Sequence, residues 1–443
     1  MVLPLKVGLA GLGTVGTSVV RLIGEDQLAA RCGRPVEVVA VTARNKAKDR
    51  GIDLSGVRWF DDPVALASDP EIDVFVELMG GDGDPAKAAI EAALNAGKSV
   101  VTANKALLAK HGLALAQLAE TNGVALNFEA AVAGAIPVIK ALREGFAGNS
   151  FARIYGILNG TCNYILTRME QEKLSFAECL KDAQRLGYAE ADPTFDVEGF
   201  DTAQKLAILA SIAFGTKVDS AAIYVEGISS IAPADLLAAD ELGYRIKLLG
   251  VAVKTEAGIE QRVHPTMVPK ESAIAQVMGV TNAVTIDAEG IAPITLVGPG
   301  AGGLATASAV VADIGDIARG ARVAPFGRAV NTLTAAGKAP MQMHEGGYYI
   351  RLLAVDKPGT AATIATRLAE QEISLESIVQ RHLVTPNSGP QGGKDAGAAS
   401  GPVPVILITY ATTEDAVRRA LAAVQADKVI SGEPQLIRIE KNR

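Results

Sequence analysis

The run GLGTVG, with glycines at positions 11, 13 and 16, constrains this chain more than any other stretch: it follows the apolar run of residues 6–10 and opens a helical pattern at about residue 14. A GxGxxG match gains meaning only between a strand and a helix. In that setting the first glycine permits a tight turn, the second lets backbone approach a pyrophosphate, and the third lets helix and strand pack closely. Amide hydrogens at the helix N-terminus then face the phosphate charge. The residues expected to line a dinucleotide are therefore Gly11, Leu12, Gly13, Thr14, Val15 and Gly16.

The chain beyond the glycines fits such a fold. β-rich runs at residues 36–41, 74–78, 99–102 and 125–128 alternate with Ala-rich helical ones, and strands separated by helices make a parallel, doubly wound, Rossmann-like sheet. Sites for NAD usually carry Asp or Glu at the end of the second strand to hold the ribose 2′-hydroxyl. Here VEVVAVTARNKAK ends its strand on Thr42, Ala43 and Arg44 with no carboxylate. Arg44, with Lys46 or Lys48 nearby, suits a 2′-phosphate instead. NADP is thus the expected cofactor, with NAD as the alternative, although solvated loop charges would leave the same pattern.

At 443 residues the chain exceeds one ordinary core. Beyond residue 135 come a helix after Pro137, a β-like FARIYGILNG, helices at 175–187 and 201–214, and longer strands at 244–253, 261–269 and 282–288. These read as a second domain on a mixed sheet. GPGAGGLATASAVVADIGDIARG is a Gly-rich turn into another helix, and a Pro- and Gly-punctuated linker comes after it. From residue 347 the pattern is strand 348–355, helix 358–371, strand 373–384, strand 403–410, helix 413–426 and strand 429–439. That order is βαββαβ, a ferredoxin-like α+β unit. Between its middle strands, TPNSGPQGGKDAGAASGP lacks the residues to build a core and is expected to form a mobile loop.

Composition excludes several classes. The net charge of -7, with no basic stripe, argues against a nucleic-acid partner. The longest apolar stretches, such as residues 206–214, fall short of the roughly 20 residues that cross a bilayer, so no membrane partner is expected. Nor does the start of the chain read as a signal peptide. Cys32, Cys162 and Cys179 are odd in number and lack metal-ligand spacing, which suits a reducing cytoplasm. His111, His264, His344 and His382 are scattered in the same way.

The densest chemistry lies in GYAEADPTFDVEGFDTAQKLAILA, which gathers Glu190, Asp192, Asp196, Glu198, Asp201 and Lys205 around a turn and into an apolar helix. Asp201 and Lys205 are four residues apart and share one helix face, and Leu206, Ile208 and Leu209 anchor that helix in a core. On spacing alone, an ordinary surface ion pair is the plainer reading.

Four segments shift that balance. NGTCNYIL, GYAEADPTFDVEGFDTAQKLAIL, VTANKALLA and LVGPGAGG resemble segments of homoserine dehydrogenases, in that family's order, over roughly the first three quarters of the chain. The remainder resembles an ACT domain, on its βαββαβ order and DKPGTAATIA. The resemblance implies reversible, NADP-dependent interconversion of L-aspartate 4-semialdehyde and L-homoserine on the way to threonine and methionine. It implies a Rossmann domain over 1–134 with a return helix at about 300–325, a catalytic and dimerisation domain over 135–320, a linker over 321–346 and a regulatory domain over 347–443.

It also distributes roles. Lys205 matches the catalytic lysine that relays the proton of the substrate's alcohol, and Lys105 a second lysine near substrate and cofactor. Oxidation requires neutral Lys205, to be made accessible by desolvation and a cationic neighbour such as Lys105. Glu190 and Asp201 match positions that hold substrate, and carboxylates suit its ammonium group. Thr102 and Ala103 lie where the nicotinamide half would run, and Gly187 and Gly303 where backbone approaches the cofactor. The carboxylate of Glu129, with carbonyls of Val132, Gly134 and Ile136, matches a site for a monovalent cation, sodium, a hard ion suited to oxygen ligands. Cys162 stands where the family more often has threonine and is read as packing. The ACT resemblance implies an amino-acid effector, L-threonine, at the turn of residues 356–359 between paired copies, hence a homo-oligomer, dimer or tetramer. Two other readings remain: a semialdehyde dehydrogenase using Cys162 as nucleophile, and a non-catalytic sensor of NADPH and an amino acid.

Overall fold

In the computed structural model, which describes residues 2–25, 27–337, 340–380 and 402–440, the N-terminal third is built on strands β1 (Leu5–Ala10), β2 (Val36–Thr42), β3 (Arg58–Phe60), β4 (Val74–Glu77), β5 (Ser99–Thr102) and β6 (Leu126–Asn127). They lie in the order β3-β2-β1-β4-β5-β6, every pair parallel. Helices α1 (Thr14–Ile23), α2 (Gln27–Cys32), α3 (Pro63–Ser68), α4 (Ala86–Asn95) and α5 (Lys105–Thr121) accompany them. β4 is buried along its whole length, as a parallel strand covered on both faces must be. The chain direction across the sheet reverses between β1 and β4, and ligands of open α/β sheets bind outside the carboxyl ends of strands at that switch. α5 starts there, capped by the Asn104 side chain, which accepts from the Leu107 amide at 3.1 Å.

The second part contains α6 (Val138–Lys140), continued by a wider turn over Ala141–Gly145, then β7 (Phe151–Ile157), α7 (Gly160–Glu172), α8 (Phe176–Arg185), α9 (Thr194–Val197) and α10 (Phe200–Phe214). β8 (Tyr224–Val225), α11 (Pro233–Glu241), β9 (Tyr244–Thr255), β10 (Gly258–Pro269), β11 (Thr281–Ala288) and β12 (Ile294–Pro299) come next, and α12 (Gly303–Ala318) returns to pack on α1. α8 opens with a Ser175–Glu178 capping box. α10 is buried on nearly every side from Asp201 onward, the mark of a helix inside a core rather than on its surface.

The last part is βαββαβ in outline, as expected: β13 (Glu345–Ala354), α13 (Thr360–Ala369), β14 (Leu375–Gln380), β15 (Val403–Thr409), the short β16 (Thr412–Thr413), α14 (Glu414–Ala426) and β17 (Gln435–Ile439). Its strands do not form a sheet of their own. The second sheet runs β12-β11-β7-β9-β10-β17-β13-β15-β14, because β10 and β17 pair in parallel, Thr266 opposite Arg438 and Met267 opposite Ile439. The strand expected at 429–439 is shorter than its hydrophobic pattern: Gly432 has φ +72° and Pro434 comes two residues later, so Ile430 makes only an isolated bridge to Ala354. The end of the strand expected at 373–384, His382 and the small-residue run at 385–401 lie outside the described residues. Among the described residues no helix is long and apolar enough to cross a membrane.

Candidate active site

α10 delivers two charged side chains into the interior. Lys205 Nζ donates to Asp201 Oδ2 at 2.7 Å and to the Leu158 carbonyl at 2.7 Å. Lys105 Nζ, at the first residue of α5, lies 3.1 Å from Asp201 Oδ1. α10 of the second part therefore meets the carboxyl end of the parallel sheet through one aspartate. Asn159 Nδ2 donates to Asp201 Oδ2 at 2.9 Å and to Asp196 Oδ1 at 2.8 Å. Burial pushes the Asp201 carboxyl up, but the charges of Lys205 and Lys105 and the bonds from Lys205 and Asn159 outweigh it and hold it at about 2. Burial and the Asp201 charge raise Asp196 instead.

The expected solvated ion pair is thus a buried cluster, and Asp201 has a different part in it. Both its oxygens are engaged by lysines, so it ties Lys205 and Lys105 together. An ammonium has three N–H donors; two of those on Lys205 have partners among the described residues. Glu190 lies exposed in the turn after α8, its backbone carbonyl held by Gln184 Nε2 at 3.0 Å.

On the sheet side, Gly11 has φ +105°, and a Cβ there would sit 2.4 Å from the Leu78 carbonyl oxygen; a Cβ at Gly16 would sit 2.0 Å from that of Gly11. Gly13 has open space. Two glycines therefore serve the turn itself, and the middle one leaves room at the helix N-terminus for a phosphate group. Leu12 is buried, Val15 half-buried and Thr14 exposed. Arg44 is exposed on the loop after β2. That loop is tied to the glycine turn by Arg50, whose guanidinium donates to the Leu12 carbonyl at 3.0 Å and to that of Lys48 at 2.7 Å.

Thr102, expected beside the nicotinamide, is fully buried. Its hydroxyl donates to Glu77 Oε2 at 2.6 Å, while Glu77 Oε1 accepts the amides of Met79 and Gly80 at 2.7 and 3.0 Å. Thr102 thus helps shape the loop at the end of β4, and Ala103, half-buried, is nearer the surface. Gly303 makes its close approach to α1: a Cβ there would lie 2.8 Å from Thr14 Cγ2 and 3.1 Å from Ser18 Oγ. It lets α12 dock closely on α1. Gly187, at φ +77°, ends α8 and faces open space.

The Glu129 carboxylate is engaged as well. Its oxygens accept the amides of Ile139 and Lys140 at 2.8 Å each, capping α6. Gly134 has φ +56°, and a Cβ there would lie 2.6 Å from the Gly300 carbonyl oxygen; the Ala135 amide donates to the Pro299 carbonyl at 3.1 Å. Among the described residues no three acidic, histidine or cysteine side chains are grouped to hold a metal. The Cys162 thiol is buried and points its sulfur to the Asp196 carbonyl at 3.2 Å; burial, then the charges of Asp196 and Asp201, push it well up. Such a thiol is the opposite of an activated nucleophile.

Asn159, Glu77 and Arg50 do not stand out in the sequence pattern. Asn159 directly precedes a helix, an ordinary capping position, and its side-chain oxygen does cap α7 through the Cys162 amide at 2.9 Å. The signal for Glu77 is a carboxylate closing an apolar strand.

A family model described as Homoserine dehydrogenase matches residues 137–314, and one described as Homoserine dehydrogenase, NAD binding domain, matches residues 11–129. A homoserine dehydrogenase of Neisseria gonorrhoeae is 42% identical over 99% of this chain and 99% of its own, and one of Pseudomonas aeruginosa is 44% identical over the same shares. A solved homoserine dehydrogenase from Thiobacillus denitrificans superposes with a TM-score of 0.90 at 41% identity, covering 99% of this chain and 98% of that one. A hyperthermophilic archaeal homoserine dehydrogenase in complex with NADPH matches with a TM-score of 0.61 at 27% identity, over 71% of this chain and 97% of that one.

Proposed function

The chain belongs to the homoserine dehydrogenase family, and from that premise we propose how its residues carry the interconversion of L-aspartate 4-semialdehyde and L-homoserine. The observation that carries the reading is one buried carboxylate, Asp201, holding lysines from two parts of the molecule at the mouth of the parallel sheet. A bound nicotinamide supplies or accepts the hydride at the carbon that bears the reacting oxygen. Lys205 moves the proton: its third N–H donates to the aldehyde oxygen during reduction, and its neutral amine takes the alcohol proton during oxidation. Asp201 fixes the direction of that amine, and Lys105 balances the charge of Asp201 while Lys205 is neutral. Glu190 receives the substrate's ammonium group through a charge-assisted bond.

NADP is the proposed form of the cofactor. Gly13, Thr14 and Val15 present backbone at the start of α1, and exposed Arg44 pairs with the 2′-phosphate. A sodium ion would rest on the Glu129 carboxylate and the main-chain carbonyls of Val132, Gly134 and Ile136, where it would stiffen the loop that leads into α6; the proton transfer does not pass through it. The same reading divides the chain at 1–134, 135–320, 321–346 and 347–443, the return helix being α12. The C-terminal βαββαβ unit acts as an ACT domain for an amino-acid effector, L-threonine, at the exposed turn of residues 356–359, in a homo-oligomer of two or four chains.

A spectrophotometric assay of homoserine oxidation with NADP or NAD, repeated with L-threonine, tests these assignments. Turnover with homoserine, preference for NADP and inhibition by threonine are expected. Full activity in Lys205→Ala would instead favour a binding protein whose lysine cluster is structural, and threonine without effect would remove the regulatory assignment alone.

A further inference from the structure

The corner between β7 and α7 touches the lysine and carboxylate cluster through a different residue at each contact. The Leu158 carbonyl accepts from Lys205 Nζ at 2.7 Å. The Asn159 side-chain amide donates to Asp196 Oδ1 and Asp201 Oδ2 at 2.8 and 2.9 Å. Thr161 Oγ1 donates to the carbonyl of Tyr188, two residues before Glu190, at 2.6 Å. The Cys162 thiol donates to the Asp196 carbonyl at 3.2 Å.

Asn159 differs from its neighbours in joining two acids through one atom. Its Nδ2 carries two hydrogens, one for each carboxylate, and its Oδ1 accepts the Cys162 amide at 2.9 Å. The reverse orientation would turn the oxygen toward both carboxylates and the NH2 group toward an N–H, so the buried amide has a single way to lie. Asp201 is flanked by Lys205 and Lys105, whereas Asp196 has no ion pair among the described residues. A cation at position 159 would compete with Lys205 for Asp201; a neutral amide fastens both acids without adding charge. It also shares Asp201 Oδ2 with Lys205 Nζ, and this limits rotation of the carboxylate that holds the lysine.

We propose that Asn159 is a positioning residue for the family's reaction: its NH2 group locks Asp196 to Asp201, and through Asp201 it keeps the Lys205 amine in one direction. The inference rests on the reading of Lys205 as the proton carrier. It separates from the plainer role of Asn159 as the cap of α7. Asn, Asp and Ser serve nearly equally as caps, because a cap needs only a side-chain acceptor. Fastening two carboxylates needs a pair of donors on one short side chain, which neither Asp nor Ser supplies. The lysine then depends on a residue that never touches it, through the oxygen they share.

Homoserine oxidation by Asn159→Ser and Asn159→Asp, followed across pH with urea unfolding as the measure of folded protein, tests the role. Both variants keep an acceptor for the Cys162 amide. In each, kcat per folded protein falls by about a hundredfold, as for reacting groups displaced by about 1 Å, while KM for NADP stays within about twofold of wild type. Asn159→Asp also moves the rising limb of kcat/KM to higher pH, because a further negative charge favours the ammonium form of Lys205. The groups it would join are Lys205, Lys105, Asp196 and Asp201, with the Cys162 thiol and Glu198 behind them. Wild-type kcat and pH profile in both variants would reduce Asn159 to a cap and overturn the proposal, as would a loss that vanishes once corrected for folded protein. An active wild type with an inactive Lys205→Ala and unaffected Asn159 variants would remove this inference alone, whereas an inactive wild type would remove the reading of Lys205 and this inference with it.

Discussion

At the carboxyl end of the parallel sheet a buried aspartate, Asp201, is flanked by Lys205 and Lys105, whereas at the junction of the large sheet a buried glutamate, Glu414, is flanked by Arg418 and Arg438. Burial raises each carboxyl, and in each case the two cations reverse the effect, so Asp201 is held at about 2 and Glu414 below its ordinary value. The motif is the same and the cation differs. Lysine has a compact ammonium that can give up a proton when its surroundings permit, while arginine stays charged and offers a flat fork of donors. Arg438 uses that fork to join Glu414 of α14 to Glu226, just after β8. A cluster of lysines thus suits proton transfer, and a cluster of arginines suits the fixing of two units to each other.

The largest expected effect separates these roles. Lys205→Ala lowers kcat/KM for homoserine by about a thousandfold, ~4 kcal/mol, the loss typical of a missing general acid or base. Lys205→Arg, which keeps the charge but not an accessible neutral form, loses nearly as much. Steady-state kinetics with urea unfolding as a control measures both, and an active arginine variant would break the distinction. Next in size, Arg438→Met leaves Glu414 with Arg418 alone and Glu226 without its guanidinium, and it costs at least about 3 kcal/mol of stability in urea denaturation, because a buried carboxylate loses part of its compensation. A change under about 1 kcal/mol would make the arginine cluster ornamental.

The sequence and the fold disagree most where partners are far apart in the chain. Asp201 and Lys205 were legible because four residues on one helix are neighbours by geometry, and the glycine turn because its spacing encodes the strand-to-helix bend. Arg438 and Glu226 are 212 residues apart, and no local pattern links them. The burial of Thr102 was hidden for the same reason: its partner, Glu77, sits on the neighbouring strand. The engagement of the Glu129 carboxylate was hidden too: an acid near a helix start is drawn to the amides there, a pairing visible only once residues 129 and 139 are brought together. The joining of β17 to β10 was likewise beyond the pattern, since hydrophobic alternation gives a strand but not its neighbour.

Acid sharpens the comparison at intermediate size. Asp201 has a folded value of about 2 against an ordinary 3.8, so its stabilising contribution is complete above 3.8 and is lost as pH falls from there through 2. The loss is on the order of 2 kcal/mol. Wild type should therefore lose thermal stability between pH 4 and pH 2, roughly the window of that shift, more steeply than Asp201→Asn. Equal slopes would mean that the lysines do not hold Asp201 ionised.

A third cation carries the contrast to the surface. Arg44 is exposed after β2, where burial does not fix it and no carboxylate among the described residues pairs with it, so its value depends on a ligand that arrives with its own charge. If that ligand is a 2′-phosphate, Arg44→Asp replaces a paired donor by a repelling acid at one end of the cofactor. KM for NADPH should then rise by tens of fold, about 2 kcal/mol, a charge-assisted bond's usual contribution. KM for NADH should change by less than about threefold, since its ribose has a hydroxyl there and only ordinary surface screening applies. Kinetics with both nucleotides at two salt concentrations measures the difference, which added salt should shrink. Parallel losses with the two nucleotides would assign Arg44 to the loop alone, held by Arg50 to the glycine turn, and leave the preference for NADP without a residue to carry it.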